Sequence, residues 1–394
     1  MGLSSERSGL VAEWLANSQA HSLTCEEIIS GLCQLLLDLN VELFRVSAAF
    51  PSLHSLIRGR QVVWERGRNV RTIIRPHGIL DTFEYRKSPA KVIHDGATFI
   101  RQRIWQSEGP EIFPVIEELK TAGATDYFAM PIPFSTGVVG YISWTTDAPN
   151  GFDETVVTDL LSLTRIIALR CELESTNFSS KALLASYLGK SAAKEVLGGN
   201  VKLGQSSSMT AAIWFSDLRN FTKLADQCPP NETLMLLNSY FEALTKCIQD
   251  RNGEVLKYIG DGILAIFPIG SALDSVDACR NAKLAALESL SKIDAINLAR
   301  KNEERIISDV GIALHVGEVA FGNIGAPDRL DFTVIGPCVN LAARIEGLCS
   351  KLNSRLLVSA EFAANSEEFT SLGSHNVKGI DSEIEVFRPE TAKK

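Results

Sequence analysis

The stretch "KYIGDGILAIF", residues 257–267, sets an Asp-Gly pair between two apolar runs. Asp-Gly is a strong hairpin signal, because a type I′ turn takes two residues at positive φ and this dipeptide supplies them at little cost. The spacing predicts a turn at Asp261–Gly262 between two strands, with the Asp261 carboxylate at its tip.

The flanking segments extend the pattern. Upstream, "AAIWF" (211–215) reads as a short buried strand and "TKLADQCPPNETLMLLNSYFEALTKCIQD" (222–250) as mostly helix. Downstream comes an alanine-rich helix, "SVDACRNAKLAALESLSKIDAINLARK" (275–301), followed by strands at "VGIALHVGEVAFGNIG" and "LDFTVIG" and a helix at "CVNLAARIEGLCSKL". Strand, helix, hairpin, helix, strand is the split βαβ order of a ferredoxin-like βαββαβ sheet, an α+β class. No internal repeat is evident.

The first half has a different order. "CEEIISGLCQLLLDLN" (25–40) carries an apolar helical stripe, and strand-like runs follow at "ELFRVSAAF", "RQVVWERG", "YFAMPIPF" and "GVVGYISWTT". After the turn "DAPNG", a helix opens at "FDETVVTDLLSLTRIIALRCELE", with acids in its first turn where the helix dipole favours them. One more helical segment, 179–197, is stopped by Gly198 and Gly199, and the small polar run "VKLGQSSSM" (201–209) reads as a hinge. The expected organisation is a helical extension at 1–23, an α/β domain at 24–175, a helical linker at 176–207 and an α+β domain at 208–394.

Composition narrows the function classes. No run of about 18 uncharged apolar residues occurs, so no membrane span is expected. The N-terminus lacks the apolar core of a secretory signal. The eight cysteines show no paired metal or redox spacing, which points to a reducing cytoplasm. A net charge of -8 argues against a nucleic-acid groove. The local exception is Arg58, Arg60, Arg66, Arg68, Arg71 and Arg75 against a single Glu65, which reads as a solvated hairpin face rather than an anion-binding patch. His77 and His94 read as solvated or hydrogen-bonded side chains.

The candidate chemistry sits in the second half. Asp217 in "WFSDLRNFT" follows the buried strand, and Leu218 to Thr222 read as the start of a helix whose free N–H groups, at Phe221 and Thr222, suit a phosphate. Asp217 and Asp261 would reach one sheet edge, where two carboxylates offer the hard oxygen ligands that magnesium takes. Taken singly, each is a cap or a turn residue. Asn340 and Arg344 in "NLAAR" share a helix face at i, i+4; alone they are ordinary helix surface.

"FSDLRNFT", "LKYIGDGILAIF" and "FTVIGPCVNLAARIE", in that order, resemble the catalytic domain of the class III nucleotidyl cyclases over roughly residues 208–388. The resemblance implies an adenylate cyclase making 3′,5′-cyclic AMP and pyrophosphate from ATP, with two Mg²⁺ or Mn²⁺ ions per site. It implies metal binding by Asp217, Asp261 and the Leu218 carbonyl, ribose orientation by Asn340, transition-state stabilisation by Arg344 and phosphate binding by Lys378. It also implies a homodimer, with the metal residues from one subunit and the base, ribose and transition-state residues from its partner. Lys257 and Thr333 fall where the family reads the purine. A lysine donates to adenine N1 and a threonine hydroxyl accepts from the exocyclic amine, whereas guanine reverses both groups, so the pair favours ATP. Threonine in place of the commoner aspartate is similar to the subgroup that includes bicarbonate-responsive soluble cyclases. Guanylate cyclase, or a catalytically inactive dimeric module, is the alternative. Residues 24–175 resemble a GAF sensory domain, which implies a small-molecule regulator of the first half or a plain dimerisation platform.

Overall fold

The computed structural model describes residues 5–17, 23–106, 113–270, 274–365, 368–380 and 382–390. The chain divides into two compact units, Met1–Leu183 and Leu184–Lys394.

The first unit is built on a six-stranded antiparallel sheet: β1 (Arg45–Pro51), β2 (Ile57–Glu65), β3 (Arg71–Pro76), β4 (Ile100–Arg103), β5 (Asp126–Pro133) and β6 (Val139–Thr146), in the order β3-β2-β1-β6-β5-β4. Helix α1 (Ser5–Ala16) precedes α2 (Cys25–Asp38). Helix α2 starts in a capping box, with Thr24 accepting from the Glu27 N–H and Glu27 accepting from the Thr24 N–H. Its buried stripe, Ile28, Ile29, Leu32 and Leu36, packs on β1 and on the long α6 (Glu154–Leu188) around Phe128 and Trp144. Three short helices, α3 (Phe83–Arg86), α4 (Pro89–His94) and α5 (Pro114–Thr121), fill the connections between β3 and β5. Strand β3 is the second strand of the hairpin expected around Arg58–Arg75, whereas β4 is not anticipated from the sequence: it is short and contains no buried residue.

The helical segment expected at 179–197 is broken. Helix α6 ends at Leu188, and Gly189, at φ +87°, starts α7 (Lys190–Leu197). A side chain there would lie 3.1 Å from a Glu254 carboxylate oxygen and 3.2 Å from the Val255 carbonyl.

In the second unit, β7 (Ser206–Leu218) leads through α8 (Phe221–Gln227) and α9 (Pro230–Asp250) to β8 (Glu254–Ile259) and β9 (Gly262–Ile269). Helix α10 (Ser275–Asn302) then returns the chain to β10 (Val310–Ala326). The order β10-β7-β9-β8, with every pairing antiparallel, is the ferredoxin-like arrangement the sequence predicts. Strand β7 is buried on both faces: Ala212 and Trp214 face α9 and α10, while Ala211 and Ile213 join a second core with Ala342. Within the polar run 201–209 expected as a hinge, Ser206 to Ser208 pair with Gly322 to Ala320 and extend the strand. Strand β11 (Arg329–Ile335) pairs with β10, α11 (Pro337–Glu346) packs on β7 and β10, and β12 (Leu356–Ser359), α12 (Ala360–Ala363), β13 (Phe369–His375) and β14 (Ile384–Pro389) complete the unit.

The hairpin turn differs from the expected one. Ile259 pairs with Gly262, so the loop residues are Gly260 and Asp261, and only Gly260, at φ +62°, has positive φ. Glycine first is the type II′ pattern rather than type I′.

Candidate active site

Asp217 is the next-to-last residue of β7 and Asp261 the second loop residue of the β8–β9 hairpin. Because β7 pairs with β9 as far as Ser216↔Ile263, the two residues meet at one sheet edge. The Asp261 carboxylate lies within hydrogen-bonding reach of Asp217. Burial first, and then the Asp261 charge, push the Asp217 carboxyl up to about 7, partly offset by the Leu218 N–H.

Gly262 makes this approach possible. A side chain there would lie 2.8 Å from the Ser216 carbonyl oxygen and 3.2 Å from Asp217 Oδ1. The glycine after Asp261 thus serves the neighbouring carboxylate, and the glycine before it serves the turn.

Sequence reasoning missed a third acid, Glu346, in the last turn of α11. It is half-buried, and burial together with the charges of Asp217 and Asp261 raises its carboxyl to about 7 against the opposing pull of Arg219. Gly311, paired across the sheet with Asp217, leaves room for it, because a side chain at 311 would run into Glu346 Oε1. The available signal was an acid on the apolar stripe of "NLAARIE", beside Ala342 and Ile345.

Helix α11 separates two sets of residues. Ala342 and Ile345 are buried, while Asn340 and Arg344 are exposed on the opposite side. At roughly 100° per residue, Glu346 lies about 160° around the axis from Arg344. Neither Asn340 nor Arg344 has a hydrogen-bond or ion-pair partner among the described residues. The carboxylate pair and the Asn340/Arg344 face of one chain therefore do not converge.

Lys257 on β8 makes an ion pair with Asp331 on β11, and Thr333 lies two residues further along that strand, on the same face as Asp331. The helix after Asp217 begins at Phe221 rather than Leu218, because β7 continues through Leu218 and Asn220, at φ +58°, turns the chain. Asn220 gives α8 no side-chain cap, so the first N–H groups, at Phe221 and Thr222, are left for another acceptor. Lys378 is exposed in the connection between β13 and β14.

The donor set at Asp217 and Asp261 is oxygen only. Among the described residues no group of three or more His, Cys, Asp or Glu side chains is arranged to hold a metal ion. Two adjacent carboxylates fit a hard divalent cation that takes its remaining ligands from phosphate and water, and such a cation would offset both the burial and the Asp261 charge that raise Asp217.

The family model of the adenylate and guanylate cyclase catalytic domain matches residues 204–388. Residues 204–388 are thus similar to the catalytic domain of the adenylate and guanylate cyclases. Among similar proteins, the adenylate cyclase of Anabaena cylindrica is 32% identical over 197 residues, 48% of this chain and 38% of the relative. The terminal-differentiation-specific adenylate cyclase of Dictyostelium discoideum is 29% identical over 195 residues, 48% of this chain and 9% of the relative. The chain thus spans well under half the length of these relatives. Among solved structures, a bacterial light-regulated adenylyl cyclase is 28% identical, covering 46% of this chain and 91% of that one with a TM-score of 0.40. The adenylyl cyclase of P. aeruginosa is 22% identical, covering 48% and 98% with a TM-score of 0.44. The matched residues fall within the second unit, and class III cyclases as a family use divalent metal ions. Among the described residues no helix is long and apolar enough to cross a membrane.

Proposed function

We propose that the chain is an adenylate cyclase acting as a homodimer, converting ATP to 3′,5′-cyclic AMP and pyrophosphate. The observation that carries this is the division on α11. One chain offers an oxygen-only carboxylate pair on one side and an unpartnered Asn340/Arg344 face on the other, so a complete site takes its halves from two chains.

In this reading Asp217, Asp261 and the Leu218 carbonyl hold two divalent cations, Mg²⁺ or Mn²⁺. When bound, these supply activation of the ribose 3′-hydroxyl and charge compensation on the triphosphate. The N–H groups of Phe221 and Thr222 receive phosphate oxygens, and Lys378 adds a cation there. From the partner, Asn340 orients the ribose. The ribose 3′-hydroxyl gives its proton to water, its oxygen bonds to the α-phosphorus as the bond to the pyrophosphate oxygen breaks, and Arg344 offsets the charge that develops. Lys257 donates to adenine N1 and Thr333 accepts from the exocyclic amine. Asp331 would keep the Lys257 ammonium beside β11, near Thr333. The first unit is read as a GAF-like regulatory domain, and the protein as cytoplasmic, in keeping with its eight free thiols.

The test is product analysis by mass spectrometry with ATP and with GTP, each with Mg²⁺ and with Mn²⁺. Cyclic AMP in excess is expected. A GTP preference would overturn the roles of Lys257 and Thr333, and the absence of any cyclic nucleotide would overturn the enzymatic reading.

A further inference from the structure

The first unit contains a cavity of about 400 Å³ between the sheet and the segment carrying α3 and α4. That volume suits a small organic molecule. Part of the wall is apolar, with Phe50, Ile79, Leu80, Val138 and Val139. The rest is cationic, with Arg58, Arg60 and Arg75 against one acid, Glu84.

The six arginines of the β2–β3 hairpin separate by where their charges are met. Arg66 pairs with Asp147, Arg68 and Arg71 pair with Glu65, and Arg60 pairs with Glu174. Arg58 and Arg75 have no carboxylate partner among the described residues, and both line the cavity. A hairpin face that is merely solvated gives no reason for its two unpaired guanidinium groups to line the same open cavity.

Arg75 is also held in place. The buried Gln61 accepts from its Nε at 3.0 Å and from one Nη, while the Gln61 amide donates to Ser47 Oγ at 2.7 Å and to the Tyr141 hydroxyl at 3.3 Å. A buried amide thus fixes one edge of the guanidinium and leaves the other Nη free to donate. At the rim, His94 Nε2 donates to the Val139 carbonyl at 3.1 Å and burial holds the ring's pKa down; in the neutral ring Nδ1 accepts from the Tyr85 hydroxyl at 2.7 Å, which leaves the charge to the arginines.

We propose that this cavity binds a small organic anion, with a carboxylate or phosphate group between Arg58 and Arg75 and an apolar body against Phe50 and Val139. A planar guanidinium fork recognises either group through paired hydrogen bonds. Arg60 links the cavity to α6: its two Nη atoms hold Glu174 at 3.1 and 2.7 Å, and it stacks on the Phe178 ring at 3.7 Å. Only the regulatory consequence rests on reading the first unit as a sensor.

The test is binding to the full-length chain without ATP, by calorimetry and thermal shift, so that its outcome is separate from that of the cyclase assay. The probes are indole-3-acetate, octanoate and phenyl phosphate, each beside an uncharged counterpart: indole-3-acetamide, octanamide and benzyl alcohol. At least one anion should bind saturably at millimolar concentration or below, and about tenfold more tightly than its counterpart. Arg75→Met and Arg58→Met should each weaken it by a similar factor, whereas Arg68→Met, outside the cavity, should not. Should Arg75→Met fail to fold, the exposed Arg58 position still decides. No binding by any anion, equal binding of the neutral partners, or unchanged affinity in both cavity variants would overturn the proposal.

Discussion

Asp217 on β7 and Asp261 at the β8–β9 turn lie within hydrogen-bonding reach of each other, with Glu346 close enough for its own carboxyl to be raised by their charge. Three acids gathered at one sheet edge cost stability when ionised without a cation. Asp217 rises from 3.8 and Glu346 from 4.5, each to about 7, so the folded chain binds these protons more tightly than the unfolded one. In metal-free protein, stability should therefore fall as the pH rises from about 4 to 7, with the loss complete above that window. Thermal melts should show a lower midpoint at pH 8 than at pH 6. Asp217→Asn should remove much of the difference, and Mn²⁺ should raise the midpoint at pH 8. A midpoint that rose between pH 6 and 8 would contradict the charge crowding.

The two glycines flanking Asp261 should respond differently to a methyl group. Gly260→Ala meets no atom within 4 Å and strains only the φ of +62°, a cost of about 1–2 kcal/mol in folding. Gly262→Ala presses on the fixed Ser216 carbonyl and on Asp217, costing about 1–3 kcal/mol and displacing a carboxylate. Denaturant melts should find both variants destabilised, and turnover should drop much further in Gly262→Ala.

The symmetry of "IGDGI" explains why the turn was misread. Gly-Asp and Asp-Gly are both acceptable two-residue loops. The choice rests on the register of β8 against β9 and on the room Asp217 needs, neither of which is local to the hairpin. What was legible was whatever short-range pattern decides: the strand before Asp217, the Asn340/Arg344 spacing and the apolar stripe of α2. What was hidden depends on distant partners. Glu346 gains meaning only from Gly311 and Asp217, and Arg60 and Arg66 of the β2–β3 hairpin only from Glu174 and Asp147.

Chain mixing tests the proposed shared site. Arg344→Ala homodimers should lose about 10²–10³-fold in turnover, as removal of a transition-state donor does. Asp261→Asn homodimers should be similarly impaired. Mixed in equal amounts and allowed to exchange, the two populations should recover roughly a quarter of wild-type activity, because half the dimers are mixed and each has one intact site. No recovery in dimers proven to be mixed would rule out sharing.

Lys257→Ala should lower kcat/KM for ATP by at least tenfold, mainly through KM, and narrow the ATP-over-GTP ratio. Steady-state assays with both nucleotides check this. An unchanged ratio would remove Lys257 from base reading.

The opposed faces of α11 also bear on inheritance. In the proposed dimer, a chain lacking only Asp217 still lends its Arg344 face to a normal partner, so one damaged allele leaves half the sites of each mixed dimer working. A chain lacking both Asp217 and Arg344 silences both sites of any partner it joins. The first lesion would behave as recessive and the second as dominant, although each changes only surfaces of a single folded unit.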